Sequence, residues 1–239
     1  MQPLASVPSR TEQVYASIRE SICDGALQPG THLVQEDLAA ALGVSRQPVQ
    51  QAMLLLKADG LVVEHGGRGL TVAPLDAAMM ENHYQIRVVL DRLAARLTAE
   101  RAAADDAFRA RLRKEGDVIL AEGEAAAQAG SAAEAVRHDV AFHSFVYRMS
   151  GNPLIGTTAE PHWYFLRRVM IGVLTHADRG ALVWRQHRDI LDALVAGDGD
   201  TAERLATDHV VGAQQALLSE LAAGRAASLF GGGRQTPAR

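Results

Sequence analysis

The sequence holds one cysteine, Cys23, in 239 residues. A lone thiol excludes a disulfide framework and any metal site built from several cysteines. Aromatic residues make up only 5% of the chain while alanine is abundant, which disfavours a β-sandwich and favours helices. No apolar run reaches the roughly 18–20 residues that a membrane-spanning helix needs. The opening residues MQPLASVPSR lack the apolar core of a signal peptide, so a cytoplasmic protein is expected. Positive charge is scarce as well: 24 Lys and Arg stand against 28 Asp and Glu, for a formal net charge of -4. This balance excludes a protein that coats nucleic acid by charge alone, yet permits a specific binder with a local basic face. No phosphate-binding loop, nucleophile elbow or HExxH motif occurs.

What is present divides near residue 75. Residues 1–75 read as a compact mixed unit, residues 76–224 as continuous helical pattern, and residues 225–239 as a disordered Gly/Arg-rich tail. Between the first two lies Ala73-Pro74-Leu75-Asp76, where Pro74 enforces extended geometry and Asp76 offers an N-cap. In the first unit, Val14, Ile18 and Ile22 mark one helix face. Leu38, Ala39 and Leu42 mark a second helix, ended by Gly43. Ser45 caps a third, which runs to Gly60 with Pro48 in its first turn. Two β-runs, 61–63 and 70–72, flank a glycine loop and read as a hairpin. Helix, helix, turn, helix, hairpin is the order of a winged helix-turn-helix, in which one helix enters the major groove of double-stranded DNA and the wing reaches the backbone. The candidate contacts are Ser45, Arg46, Gln47, Gln50 and Gln51 on the third helix and Arg68 at the hairpin tip. Arg46 can fork onto guanine, and the glutamines can pair with adenine. The unit is itself net acidic, with five basic and seven acidic residues among positions 1–75. Non-specific affinity is therefore expected to be weak, and a homodimer on a palindromic operator is expected to double the few favourable contacts.

These residues resemble the GntR family of bacterial transcriptional regulators. The match runs through Leu38-Ala39, Leu42-Gly43-Val44-Ser45-Arg46-Gln47-Pro48-Val49, Leu56, Gly60-Leu61-Val62 and the glycine wing. Where the family usually continues Arg-Glu-Ala-Leu, this chain has Gln50-Gln51-Ala52-Met53. Gln50 thus removes an arginine contact and leaves the preferred operator open.

The second unit reads as about six amphipathic helices joined by short loops, an antiparallel bundle that makes the whole chain mainly α. Ile86, Leu90, Leu93 and Leu97 form the expected inner stripe of its first helix, and Asp200 with Glu203 a capping box for its last. Asp139 and His143 share a helix face, and His187 and His209 lie on two later helices. One carboxylate and three imidazoles suit a divalent cation such as zinc, nickel or manganese. The same spacing also fits four separately satisfied side chains, since the chain has nine histidines.

This unit resembles the FCD effector domain of the FadR-type GntR subgroup. The matching pieces are Arg87-x-x-Leu90, Asp139-x-x-x-His143 with Gly151-Asn152-Pro153, and His187-Arg188-x-Ile190-x-x-Ala193-Leu194 leading to Gly199-Asp200 and His209. The resemblance implies an all-helical bundle, a metal at Asp139, His143, His187 and His209, and a small organic acid beside it that Arg87 would pair with. Asp91 departs from it, standing where the family usually has Glu. Three functions follow: an effector-controlled regulator, a regulator sensing the metal itself, or a metalloenzyme activating water. The last leaves the winged helix without a role.

Overall fold

The computed structural model describes residues 8–64, 69–174 and 180–223. They form two compact units that divide between Leu75 and Asp76. The stretch 225–239 expected to be disordered lies outside the described residues.

The first unit contains α1 (Arg10–Cys23), β1 (His32–Leu33), α2 (Gln35–Leu42), α3 (Arg46–Ala58), β2 (Val62–Glu64) and β3 (Leu70–Val72). Ser9 and Glu12 cap α1 reciprocally, each side chain bonding the other's backbone N–H. The buried face Val14, Ile18 and Ile22 packs against α3, which contributes Val49, Ala52, Met53 and Leu56. Gly43 ends α2 at φ 64°, a left-handed setting that glycine adopts without steric cost. Helix α3 starts three residues later with Arg46 and Gln47 exposed in its first turn. Two expectations need correction. The hairpin is part of a three-stranded antiparallel sheet in the order β1-β3-β2, with His32 opposite Thr71 and Leu33 opposite Leu70. A two-residue strand is too short to show a period in sequence. Ser45 occupies the N-cap position of α3, but its side chain makes no capping bond, so its hydroxyl is not committed to the helix.

The second unit is a bundle of α4 (Ala77–Ala104), α5 (Asp106–Gln128), α6 (Ala132–Met149), α7 (Pro153–Leu174), α8 (Gly180–Ala196) and α9 (Gly199–Ala222). Asp76, Asp105 and Ser131 accept backbone N–H bonds at the starts of α4, α5 and α6. Helix α9 is capped by Asp198 rather than Asp200, because the turn begins one glycine earlier. Helix α7 continues through Pro161.

The inner face of α4 differs from the one its apolar periodicity suggests. Ile86 and Leu93 are 45% and 40% exposed, whereas Tyr84, Arg87, Asp91, Ala94, Thr98 and Ala102 are buried. Two stripes with the same helical spacing compete for the interior. The polar one wins because α6 supplies hydrogen-bond partners to Asp91 and Thr98 and because its alanines let neighbouring helices approach closely.

Helices α5 and α8 meet across glycines. A Cβ on Gly123 would lie 1.9 Å from the Trp184 ring. Gly123→Ala gains about 1 kcal/mol of helix propensity but must displace a buried indole, which costs about 1–3 kcal/mol. The expected result is a lower Tm, by a few degrees, in thermal unfolding. Because Trp184 packs edge-on against His187, the displacement also reaches the residues described next.

Candidate metal centre

Helix α6 carries Asp139 and His143 one turn apart, α8 carries His187 and α9 carries His209. All four are buried, and one donor atom from each lies within 4.8 Å of all the others. His187 Nε2 is 3.2 Å from His209 Nε2 and 3.3 Å from Asp139 Oδ1, while His143 Nε2 is 3.9 Å from the same oxygen. Two donors with bonds of about 2.0–2.2 Å to one ion stand roughly 3–3.5 Å apart, so the two edges at His187 already have coordination spacing.

Protonation fits the same purpose. Burial raises the Asp139 carboxyl's pKa, but the His187 hydrogen bond, the adjoining imidazoles of His143 and His187 and the Arg87 guanidinium outweigh it and hold the group ionised. Burial lowers His187, with Asp139 only partly opposing it. His209 is pushed well below the usual imidazole value by burial, then by His187 and His143. These two imidazoles are therefore neutral at pH 7, as ligation requires.

Supporting contacts orient the rings. Asp91 is held below its ordinary pKa: burial opposes ionisation, but His143 and Arg87 prevail. Its Oδ1, acceptor only, accepts a hydrogen bond from His143 Nδ1–H at 2.6 Å, which leaves the Nε2 lone pair facing the centre. Tyr147 donates to the other oxygen of Asp91 at 2.9 Å. Gln186 Oε1 accepts from His209 Nδ1 at 3.0 Å and orients that ring likewise. The donor set thus fits a borderline divalent ion: Asp139 Oδ2 is buried without a hydrogen-bond partner, and three imidazoles face one carboxylate.

Arg87 completes the centre. It is 2% exposed on α4, with its guanidinium 4.2 Å from the centroid of the Trp163 ring. Nη2 lies 2.7 Å from His143 Nε2. Nε is 3.4 Å from Asp91 Oδ2, an ion-pair separation outside hydrogen-bond geometry, and neither Nε nor Nη1 has a hydrogen-bond partner. Burial works against its charge, but Asp91, Tyr84 and Asp139 raise its pKa overall. The Tyr84 hydroxyl is also unpartnered, its pKa pushed up to about 12 mainly by burial.

Residues 82–212 match the FCD domain, and residues 10–72 match the bacterial regulatory proteins of the gntR family. The chain belongs to the GntR family and carries an FCD domain. It is similar to the HTH-type regulator YdfH of Escherichia coli O6:H1, 27% identical over 87% of this chain and 88% of that protein. The HTH-type repressor RspR of E. coli K12 is 27% identical over 83% and 85% of the two chains. A GntR regulator from Rhodococcus sp. RHA1 superposes with a TM-score of 0.74 at 26% identity, covering 89% of this chain and 99% of the other. The structure of E. coli McbR/YncC shares the fold, with a TM-score of 0.76 at 21% identity over 90% and 100% of the chains. The protein is thus a DNA-binding transcriptional regulator and not an enzyme, which sets aside the water-activating reading.

In this regulator the DNA-facing candidates Ser45, Arg46, Gln47, Gln50 and Gln51 are exposed on α3. Arg46 is ion-paired to Glu36 of α2, and Gln51 accepts a 2.6 Å hydrogen bond from Thr11. Arg68 lies outside the described residues, as does His176. Arg167 and Arg168 of α7 are buried, although arginines on an amphipathic helix usually face solvent. His83 and His162 sit on α4 and α7 with their Nδ1 atoms 2.9 Å apart. Burial and His162 together push His83 down to about 4. Trp163 and Trp184 are core residues; Trp163 lies against Arg87 and Trp184 against His187. Sequence reasoning missed Tyr84, Tyr147 and Gln186 as parts of the centre. Tyr84 had a signal, standing three residues before Arg87 and seven before Asp91 on one face; Gln186 had none.

Proposed function

We propose that this regulator binds a palindromic operator as a cytoplasmic homodimer, and that a small carboxylate bound beside a divalent metal ion controls its operator affinity. Asp139, His143, His187 and His209 hold the ion in this reading. The observation that carries it is the buried Arg87 guanidinium, with unused donors, standing against that four-donor cluster. A divalent ion here supplies net positive charge and coordination positions for a carboxylate oxygen. The chain supplies the rest. The lone pair on His143 Nε2 serves either the Arg87 guanidinium or a metal ion, never both. Arg87 released from it offers a carboxylate a two-pronged set of donors, and the Tyr84 hydroxyl stands one turn away on α4. Helix α4 directly follows the Ala73-Pro74-Leu75 linker, so an effector that favours one setting of α4 changes operator affinity by about 1–3 kcal/mol.

The test is calorimetry with a panel of small acids on metal-loaded, metal-stripped and Arg87→Ala protein, beside operator binding with the same acids. An acid that shifts operator affinity yet binds all three proteins equally defeats the mechanism. Operator affinity that follows the metal alone would favour metal sensing instead.

Two further results are expected. Arg46→Ala costs about 1–3 kcal/mol at a selected operator and relaxes specificity there, read by competition binding. The outward stripe of α4 with Ile86, Val89 and Leu93 supports self-association, since a repeat of this spacing suits a facing helix. Leu93→Glu is expected to yield a monomer in light scattering.

A further inference from the structure

A cleft opens from the centre to solvent. Its polar lining comes from Tyr84, Arg87, Asp139, Gln186 and His209. The remaining described lining is apolar: Met170 of α7, Val183 of α8, and Ala213, Ala216 and Leu217 of α9. The order along α9 separates the two chemistries. Ala213, Ala216 and Leu217 follow His209 by four, seven and eight residues, so they continue its face for about two turns, roughly 12 Å. Val183 stands one turn before His187 on α8. No second Lys or Arg is among the described lining residues.

Charge points the same way. The carboxylates of Asp91 and Asp139 offset Arg87 and one of the two charges of a divalent ion. One positive charge remains, which a single carboxylate neutralises. A second carboxylate on the ligand would lie among Met170, Val183 and Leu217, where an unpaired charge is costly to bury.

We propose that the effector is a monocarboxylate carrying an apolar chain, its carboxylate at Arg87 and its chain along α9 over Ala213 and Ala216. This rests on the carboxylate-and-metal reading above and adds the class of acid. It separates such acids from dicarboxylates and from sugar acids, whose hydroxyls would find no partners along the apolar wall.

The test uses the full chain loaded with zinc, titrated calorimetrically with straight-chain monocarboxylates from butyrate to octanoate and with adipate and gluconate. Affinity is expected to rise about fourfold for each added methylene until the cleft is filled. Hexanoate is expected to bind at least tenfold more tightly than adipate, which has the same number of carbons. Ala216→Phe is expected to weaken octanoate while sparing butyrate. Val183→Thr, close in shape and requiring no repacking, is expected to weaken octanoate in the same sense. Affinity that is flat with chain length, or adipate binding as tightly as hexanoate, overturns the proposal and leaves the carboxylate reading standing. If none of these acids binds the zinc-loaded protein, both fall.

Discussion

His187→Ala is expected to lower the affinity of the helical unit for zinc or nickel by about a hundredfold or more. His187 is fully buried, and its Nε2 stands at 3.2 and 3.3 Å from donors on His209 and Asp139, so it is the hub of the cluster. Losing only a supporting partner of a ligand costs roughly 10–100-fold in metal affinity, and losing the ligand should cost at least as much. Thermal unfolding provides the readout. Metal at a hundred times its Kd stabilises the parent by about 2.7 kcal/mol, a Tm gain of roughly 5–10 °C for a chain of this size. The alanine also leaves a cavity and lowers the metal-free Tm, so the metal-induced increment is the quantity to compare. An equal increment in parent and variant would contradict the assignment of His187 as a ligand.

The second large effect belongs to Arg87→Met. This change leaves Asp91 and Asp139 buried beside an apolar side chain. Removing one partner of a buried ion pair costs about 3–5 kcal/mol, and here one cation faces two carboxylates. The metal-free variant should therefore melt roughly 10 °C or more below the parent at pH 7. A divalent ion would restore the missing charge, and Arg87 would no longer hold the His143 Nε2 lone pair. The variant is thus expected to gain more stability from metal than the parent does, the opposite of His187→Ala. The pH dependence has a definite sign. Both carboxylates have folded pKa values below the unfolded value of about 4, so their stabilisation is present above that pH and is lost as pH falls through the folded values. Without Arg87 those values rise and the acid loss shrinks, so the two melting curves converge on acidification. A gap that stays constant from pH 7 to pH 3 would show that the guanidinium acts through packing alone.

The winged helix-turn-helix was legible because its signals are local. The Val14, Ile18 and Ile22 stripe, Gly43 before a helix start, and Pro48 in a first turn each act over a few residues. The pairing of His143 with Asp139 on one face was legible for the same reason. Residues sharing a face through three- and four-residue spacing are visible without any partner. Tyr147 also follows His143 by one turn, but its role depends on Asp91 of another helix, and Gln186 gives no hint beyond adjacency to His187.

The sequence alone determined the helices of both units and the two hairpin strands, and it singled out Asp139, His143, His187, His209 and Arg87 by their chemistry, since spacing, caps and breakers all operate within one segment. Only the tertiary structure decided which of two equally periodic stripes on α4 turns inward. An apolar count favours Ile86, Leu90, Leu93 and Leu97; burial selects Tyr84, Arg87 and Asp91. A helix can bury charge when other helices bring the opposite charge and matching hydrogen-bond partners to meet it. Those partners, His143, Tyr147 and Asp139, arrive on α6 from more than 45 residues away. Periodicity describes one helix at a time and cannot report that meeting.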